Sequence, residues 1–220
     1  MSIQSQLMAI KATLPPQVTL VAVSKTRPAP AIIEAYEAGQ REFGESRPQD
    51  LAQKAAELPS DIKWHFIGHL QTNKVKQVVG LAHLIHSVDS ERLLCEIAKE
   101  ACKKQHKTRC LLQIHITQEK TKFGFSPDTI HSFLSSGILK EIPFVEITGL
   151  MGMASFTDNF SQVREEFRNL KHLFDDLKTT AFNNNPAFRE LSMGMSSDYR
   201  IAVEEGSTII RVGTDIFGAR

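Results

Sequence analysis

Residues 18–39 read VTLVAVSKTRPAPAIIEAYEAG. The opening run, 18–25, is rich in β-branched and apolar residues and predicts a strand. The run 28–39 predicts a helix, with Pro28 near its start and Gly39 at its end. The turn between them, VSKTRPAP, contains no glycine. An open doubly wound sheet would favour a Gly-rich first βα turn, so this unit argues against one. The same unit then recurs along the chain. Further strands are expected at 41–46, 63–69, 84–90, 110–116, 143–151, 188–194 and 208–218. Helices are expected at 47–58, 71–81, 91–105, from Ser126 to Gly137, at 158–180 and at 197–205, with an additional one near 2–12. In 158–180 the apolar residues Val163, Phe167, Leu170, Phe174 and Leu177 recur every three or four positions, the helical period. Strands alternating with helices imply parallel βαβ units, and eight such units close into a (β/α)8 TIM barrel. The expected fold is therefore α/β: one barrel domain spanning 1–220, with an extra N-terminal helix.

Composition narrows the function classes. The 220 residues carry 26 Lys+Arg against 25 Asp+Glu, a net charge of +1. This provides no broad field for nucleic acid or an anionic membrane, and neither is an expected partner. No window reaches the ~18 apolar residues of a spanning helix. The N-terminus lacks a basic n-region, and Gln4, Gln6 and Lys11 interrupt any apolar core, so no signal peptide is expected. Cys95, Cys102 and Cys110 show no CxxC spacing. They indicate neither a disulfide framework nor a zinc site, and a reducing cytoplasm fits.

In a barrel the active site lies at the C-terminal ends of the strands. Lys25 stands at the exit of strand one, on the parity of Val21 and Val23, so all three point the same way. It is either a lysine whose ammonium reaches solvent or a confined amine that attacks an aldehyde to form a Schiff base. The exits of strands seven and eight carry Ser192, Gly194, Ser196, Ser197, Gly213 and Thr214. They are either ordinary turn residues or the phosphate site usual for these loops, with Ser196 capping a helix that begins near Ser197. Arg211 lies inside IIRVG and needs a partner, either a carboxylate such as Glu190 or a ring nitrogen of a cofactor. An aldehyde-reactive lysine, a phosphate cradle and a pyridine partner together describe a pyridoxal 5'-phosphate (PLP) site.

Several segments carry a family resemblance: AVSKT (22–26), WHFIGHLQTNK (64–74), SVDS (87–90), EKTKFGF (119–125), GLM (149–151), LSMGMSSD (191–198) and STIIRVGTDIFGAR (207–220). Together they resemble the pyridoxal phosphate homeostasis protein family along essentially the whole chain. The resemblance implies a single barrel similar to the N-terminal domain of alanine racemase. It makes Lys25 the Schiff-base lysine and puts Ser192, Ser196, Gly213 and Thr214 around the phosphate. Arg211 would face the pyridine nitrogen, and His65 and Asn73 would lie near the cofactor. Met193, in the same strand-seven exit, is counted with these cofactor-binding residues, as is Ser46. The chain departs from the family pattern in three places. It has Gly44-Glu45-Ser46 where GEN is usual, so Ser46 would reach the cofactor only through water. His115 replaces a common Asn, and Asp215 a common small residue.

Racemisation needs an acid or base on each face of the adduct. In the racemases a tyrosine from a second domain of the partner subunit serves one face. Here only Tyr36 and Tyr199 exist, and neither is expected at a strand exit. A cation at Arg211 also disfavours protonation of the pyridine nitrogen and weakens the ring as an electron sink. The expected function is thus a carrier or buffer of PLP that supports vitamin B6 and amino-acid homeostasis. Transient contact with PLP-dependent apoenzymes and a monomeric state are expected. The alternatives are a PLP-dependent racemase or related enzyme, and a metal-dependent barrel hydrolase using His65 and His69. Phe123, Phe125, Phe133 and Phe144 are expected in the core, and Lys122 is expected to be a solvated charge or a transient phosphate contact.

Overall fold

The computed structural model describes residues 2–117 and 123–219. Its eight strands form one closed parallel barrel in sequence order, β1-β2-β3-β4-β5-β6-β7-β8. They are β1 (Thr19–Val23), β2 (Glu42–Glu45), β3 (Lys63–Phe66), β4 (Leu84–Val88), β5 (Thr108–Gln113), β6 (Val145–Met151), β7 (Glu190–Ser192) and β8 (Ile209–Val212). The helices are α1 (Ile3–Thr13), α2 (Ala29–Glu37), α3 (Pro48–Glu57), α4 (Val75–Val78), α5 (Glu91–Lys104), α6 (Pro127–Ser135), α7 (Phe160–Thr179), α8 (Tyr199–Glu204) and α9 (Thr214–Phe217). No described helix is long and apolar enough to cross a membrane.

Local chemistry sets the helix starts. Ser90 Oγ accepts from Leu93 N at the start of α5, and Ser126 forms a capping box with Thr129 at the start of α6. Acidic Glu91 opens α5 and Lys103 and Lys104 close it, as the helix dipole favours. The extra helix α1 is capped by Ser2 and buries Leu7 and Ile10 while packing on α2 and α9.

Two apolar clusters follow from strand alternation. Val21, Leu84, Leu111, Met151 and Ile209 point inward and fill the barrel as a separate cluster. The opposite faces of the strands pack against the helices in the larger core. Register shifts once between Cys110 and Leu111 on the β5–β6 pair. Nearby, Gly149 allows close strand approach, because a Cβ there would fall 1.7 Å from the Glu190 carbonyl oxygen.

Three expectations need correction. The run 208–218 is not one strand: β8 ends at Val212, and Thr214–Phe217 turn into α9. The helix expected at 71–81 is a 3-10 turn, Thr72–Lys74, followed by the short α4. Phe123 is 58% exposed and stacks on His69 at 4.0 Å. Phe125 and Phe133 do lie in the core, with ring centroids 4.8 Å apart, and Phe144 packs partly buried against it. Lys122 lies outside the described residues.

Candidate functional site

The β1 exit is rigidly held from below. Ser24 and Glu45 are fully buried. Ser24 Oγ donates to Glu45 Oε1 at 2.8 Å, and Lys54 Nζ reaches Glu45 Oε1 at 2.5 Å and the Ser24 carbonyl at 2.9 Å. The next residues swing the chain sharply, and Thr26 adopts φ +67°. A non-glycine residue bears ~1–2 kcal/mol of strain there, which the anchored neighbours must offset. This geometry brings Lys25 to a cleft of about 530 Å³ at the barrel mouth. The same cleft is lined by Ser196, Arg211, Gly213, Thr214 and Asp215. Sequence reasoning missed the Ser24–Glu45–Lys54 anchor. A carboxylate closing an apolar strand was the available signal.

On the far wall, Gly194 has φ +95°, and a Cβ there would lie 2.6 Å from Ala202 Cβ. The bare glycine lets α8 close against the β7 exit. Asp198 Oδ1 then accepts from Met195 N at 2.6 Å, shaping the turn that carries Ser196. Ser196 does not cap α8. Its Oγ instead accepts from Gly213 N at 3.2 Å and ties the last two strand exits together. Tyr199 lines an adjoining cleft that shares Ser196, Ser197 and Asp215 with the first.

Arg211 is the buried cation of the site. Its guanidinium donates to Ser192 Oγ and, at 3.1 Å, to the Gly152 carbonyl. Glu190 is not its partner. That carboxylate pairs with Arg109 at 2.6 Å and accepts from Thr148. Burial pushes the Arg211 pKa down to about 10, with Asp198 opposing the change, so the group stays cationic near neutrality. Burial raises the Asp198 carboxyl in turn, against the Met195 N–H and the Arg211 charge.

The remaining expected site residues divide clearly. Ser192 is fully buried behind Arg211, hydrogen-bonded to it and to His86 Nδ1 at 2.9 Å, and does not line the cleft. His65 lies deeper still, bonded to His86 Nε2 at 2.8 Å and to Glu42 Oε2 at 2.7 Å. Met193, on the opposite strand parity, packs into the outer core. Asn73 is exposed on the Thr72–Lys74 turn. Ser46 is half-buried, and its carbonyl sits against Gly68, where a Cβ would come within 2.1 Å. None of Met193, Asn73 and Ser46 lines the cleft. Tyr36 is also remote, with its hydroxyl on Asp61. His69 is a rim residue beside Asp89, and no group of three or more metal-ligating side chains occurs among the described residues.

Burial holds the His86 pKa well below its ordinary value of 6.5, with the charges of His65, Arg211 and His83 acting the same way. Between that lowered value and 6.5 the unfolded chain binds a proton that the folded one refuses. Stability therefore falls as pH drops below about 6.5. The loss grows as pH falls further toward that lowered value, by at most about 1.4 kcal/mol per pH unit for one group. The His86→Gln protein should show a correspondingly shallower loss in urea titrations between these pH values. An identical slope would show that His86 titrates freely.

Asp215 places a carboxylate in the same cleft as Thr214, with Arg200 as a nearby counter-charge. Removing it should tighten anion binding. Asp215→Asn is expected to bind inorganic phosphate roughly 2–5-fold more strongly, the scale of a partly exposed charge. The gain should shrink as salt rises, and weaker phosphate binding by Asp215→Asn in calorimetry would refute it.

The fold and the site define a barrel of the alanine racemase N-terminal type, and the family model for "Alanine racemase, N-terminal domain" matches residues 1–220. A pyridoxal phosphate homeostasis protein of Aquifex aeolicus is 41% identical over 202 residues, covering 91% of this chain and 86% of the relative. One from Homo sapiens is 40% identical over 215 residues, covering 93% and 77%. The structure of PipY from Synechococcus elongatus PCC7942 with PLP bound aligns at a TM-score of 0.88 and 39% identity, over 99% of this chain and 100% of that one. Alanine racemase from Streptomyces coelicolor shares the fold at a TM-score of 0.80 and 17% identity, with 99% of this chain covering 58% of that one. The chain belongs to the pyridoxal phosphate homeostasis protein family.

Proposed function

We propose that this protein binds PLP at the barrel mouth and holds it covalently through Lys25, buffering or delivering the cofactor. The observation that carries this reading is the convergence of three chemistries on one cleft. These are an amine at the β1 exit, hydroxyl and backbone groups of Ser196, Gly213 and Thr214, and the buried cation of Arg211. Each matches one part of the cofactor: the aldehyde, the phosphate and the pyridine nitrogen. When bound, PLP supplies an aldehyde that condenses with an amine, with water leaving.

The chain's own residues give that site its character. Ser24, Glu45 and Lys54 fix the turn from which Lys25 projects. Ser196 and Gly213 hold the β7 and β8 exits at one spacing, so that an anion can span them. Arg211 stays charged, and a cation there disfavours protonation of the ring nitrogen. Neither Tyr36 nor Tyr199 lines the Lys25 cleft, so no tyrosine is on hand as a second base there. These features support a holder of the aldehyde over a racemase. The PLP-bound PipY neighbour, similar over the full length, supports the same choice of ligand.

On this reading the protein works as a monomer, meets PLP-dependent apoenzymes transiently, and resides in the cytoplasm. The three cysteines are free, and two of them, Cys95 and Cys102, are exposed, which suits a reducing compartment. The test loads the protein with PLP and incubates it with L- or D-alanine in heavy water. One cofactor per chain is expected, with exchange of the alanine α-proton no faster than with free PLP. Rapid exchange or inversion would establish the racemase instead.

A further inference from the structure

The barrel interior carries a polar chain that the site above does not use. It begins on the floor, where Glu42, the first residue of β2, is half-buried beside Lys63. Glu42 Oε2 meets His65 Nε2 at 2.7 Å, His65 Nδ1 meets His86 Nε2 at 2.8 Å, and His86 Nδ1 meets Ser192 Oγ at 2.9 Å. Ser192 Oγ then accepts from Arg211. The chain crosses from β2 through β3, β4 and β7 to β8, linking the floor to the mouth.

Donor and acceptor rules constrain the proton positions. Burial tends to raise the Glu42 carboxyl, but the hydrogen bonds from His65 Nε2 and Lys63 Nζ, together with the Lys63 charge, hold it below its ordinary value. Glu42 is therefore an ionised carboxylate that only accepts, and His65 Nε2 must carry a hydrogen. With His65 singly protonated, its Nδ1 accepts, so His86 Nε2 donates. His86 is neutral, so its Nδ1 accepts from the Ser192 hydroxyl, and Ser192 Oγ receives the Arg211 N–H on a lone pair. Every donor then points the same way, from the guanidinium to the carboxylate.

We propose that Glu42, His65, His86 and Ser192 are positioning residues for Arg211, a one-way hydrogen-bond chain that orients its guanidinium toward the cofactor ring and supplies its counter-charge from the barrel floor. Resting on the PLP reading above, this assigns a role to His65 and Ser192 that differs from contact with the cofactor. A buried cation needs compensation. A carboxylate placed directly beside the ring would favour the protonated pyridine nitrogen by accepting its N–H. Relaying the charge through two imidazoles and a hydroxyl compensates the cation without that effect, since polarised chains strengthen one another in a low-dielectric interior.

The surroundings favour this direction over its reverse. His83, with its ring 5.8 Å from that of His65, is bonded to Arg109, which is itself paired with Glu190. Lys63 flanks Glu42, and Asp198 faces Arg211. Among these, Lys63, Arg109 and Arg211 oppose an added positive charge on the chain. A second proton on His65 would also reverse His86 and turn the Ser192 hydrogen away from it.

The test uses protein with 15N-labelled histidine, without cofactor, at pH 7. Long-range 1H–15N spectra should show both His65 and His86 protonated on Nε2 alone. In Glu42→Gln the His86 nitrogen signals should shift, although Glu42 makes no contact with that ring. In the PLP-loaded protein Glu42→Gln should also move the visible absorbance maximum at unchanged cofactor stoichiometry, which a purely structural role would not do. A His86 hydrogen on Nδ1 in the wild type, or His86 signals indifferent to Glu42→Gln, would overturn the proposal. The wild-type spectrum decides it even if the variant fails to fold. Because that spectrum needs no PLP, failure of this chain and failure of PLP binding are separate results.

Discussion

Lys25→Ala should fold as the wild type does and take up no covalent PLP, the trapped adduct falling from one per chain to none. Lys25 is a half-buried side chain at a strand exit, outside both apolar clusters. Substitutions of that kind usually stay within about 0.5 kcal/mol, which for a chain of this size is a shift of roughly 1–2 °C in the unfolding midpoint. The loss should therefore be specific to the bond with the aldehyde. Weak, non-covalent PLP binding should persist through Ser196, Gly213, Thr214 and Arg211. It should be competed by inorganic phosphate. Full covalent labelling of Lys25→Ala at another lysine would move the site.

Arg211→Leu should weaken PLP binding by roughly 10–150-fold, the equivalent of losing a hydrogen bond to a charged group, about 1.5–3 kcal/mol. Its effect on the apo protein works through different terms. Removing a buried cation relieves a desolvation cost. The same change leaves Ser192 Oγ and the Gly152 carbonyl without their donor, at about 1–3 kcal/mol each if no water replaces it. The net change in unfolding free energy should thus be small beside the loss in affinity. Arg211→Lys should recover only part of the binding, because a compact ammonium cannot span Ser192 and Gly152 while facing the cleft. Equal affinities for Arg211→Leu and wild type, measured by equilibrium titration, would remove Arg211 from the site.

Much of the barrel is legible from local pattern. Alternation of short β-rich runs with amphipathic stretches determines the order of elements, and caps such as Ser90 and Ser126 mark the helix starts. The errors occur where elements are short. Thr214–Phe217 is a single helical turn, too brief for a 3.6-residue period to show, and it continues the apolar alternation of β8. Thr72–Lys74 interrupts the helix expected there for the same reason. Phe123 leaves the core and finds a stacking surface on His69 instead.

The mouth of the site was partly legible. Strand parity placed Lys25 with Val21 and Val23, and the small and hydroxyl residues at the last two exits marked Ser196, Gly213 and Thr214. Ser192 does not line the cleft, because position along a strand does not reveal depth. It lies below the cleft, under Arg211. His86 was overlooked entirely. It shares parity with inward-facing Leu84, and a polar residue on that face must find a buried partner. Its partners come from β3 and β7, far apart in the chain, and only barrel closure brings them together.

The central claim is that the Lys25 amine holds the cofactor. Its most direct test is borohydride reduction of the PLP-incubated wild-type protein, followed by proteolysis and mass mapping. A single phosphopyridoxyl group on the peptide containing Lys25 is the expected result. A modified peptide from elsewhere in the chain, or no modification at saturating PLP, would contradict the account.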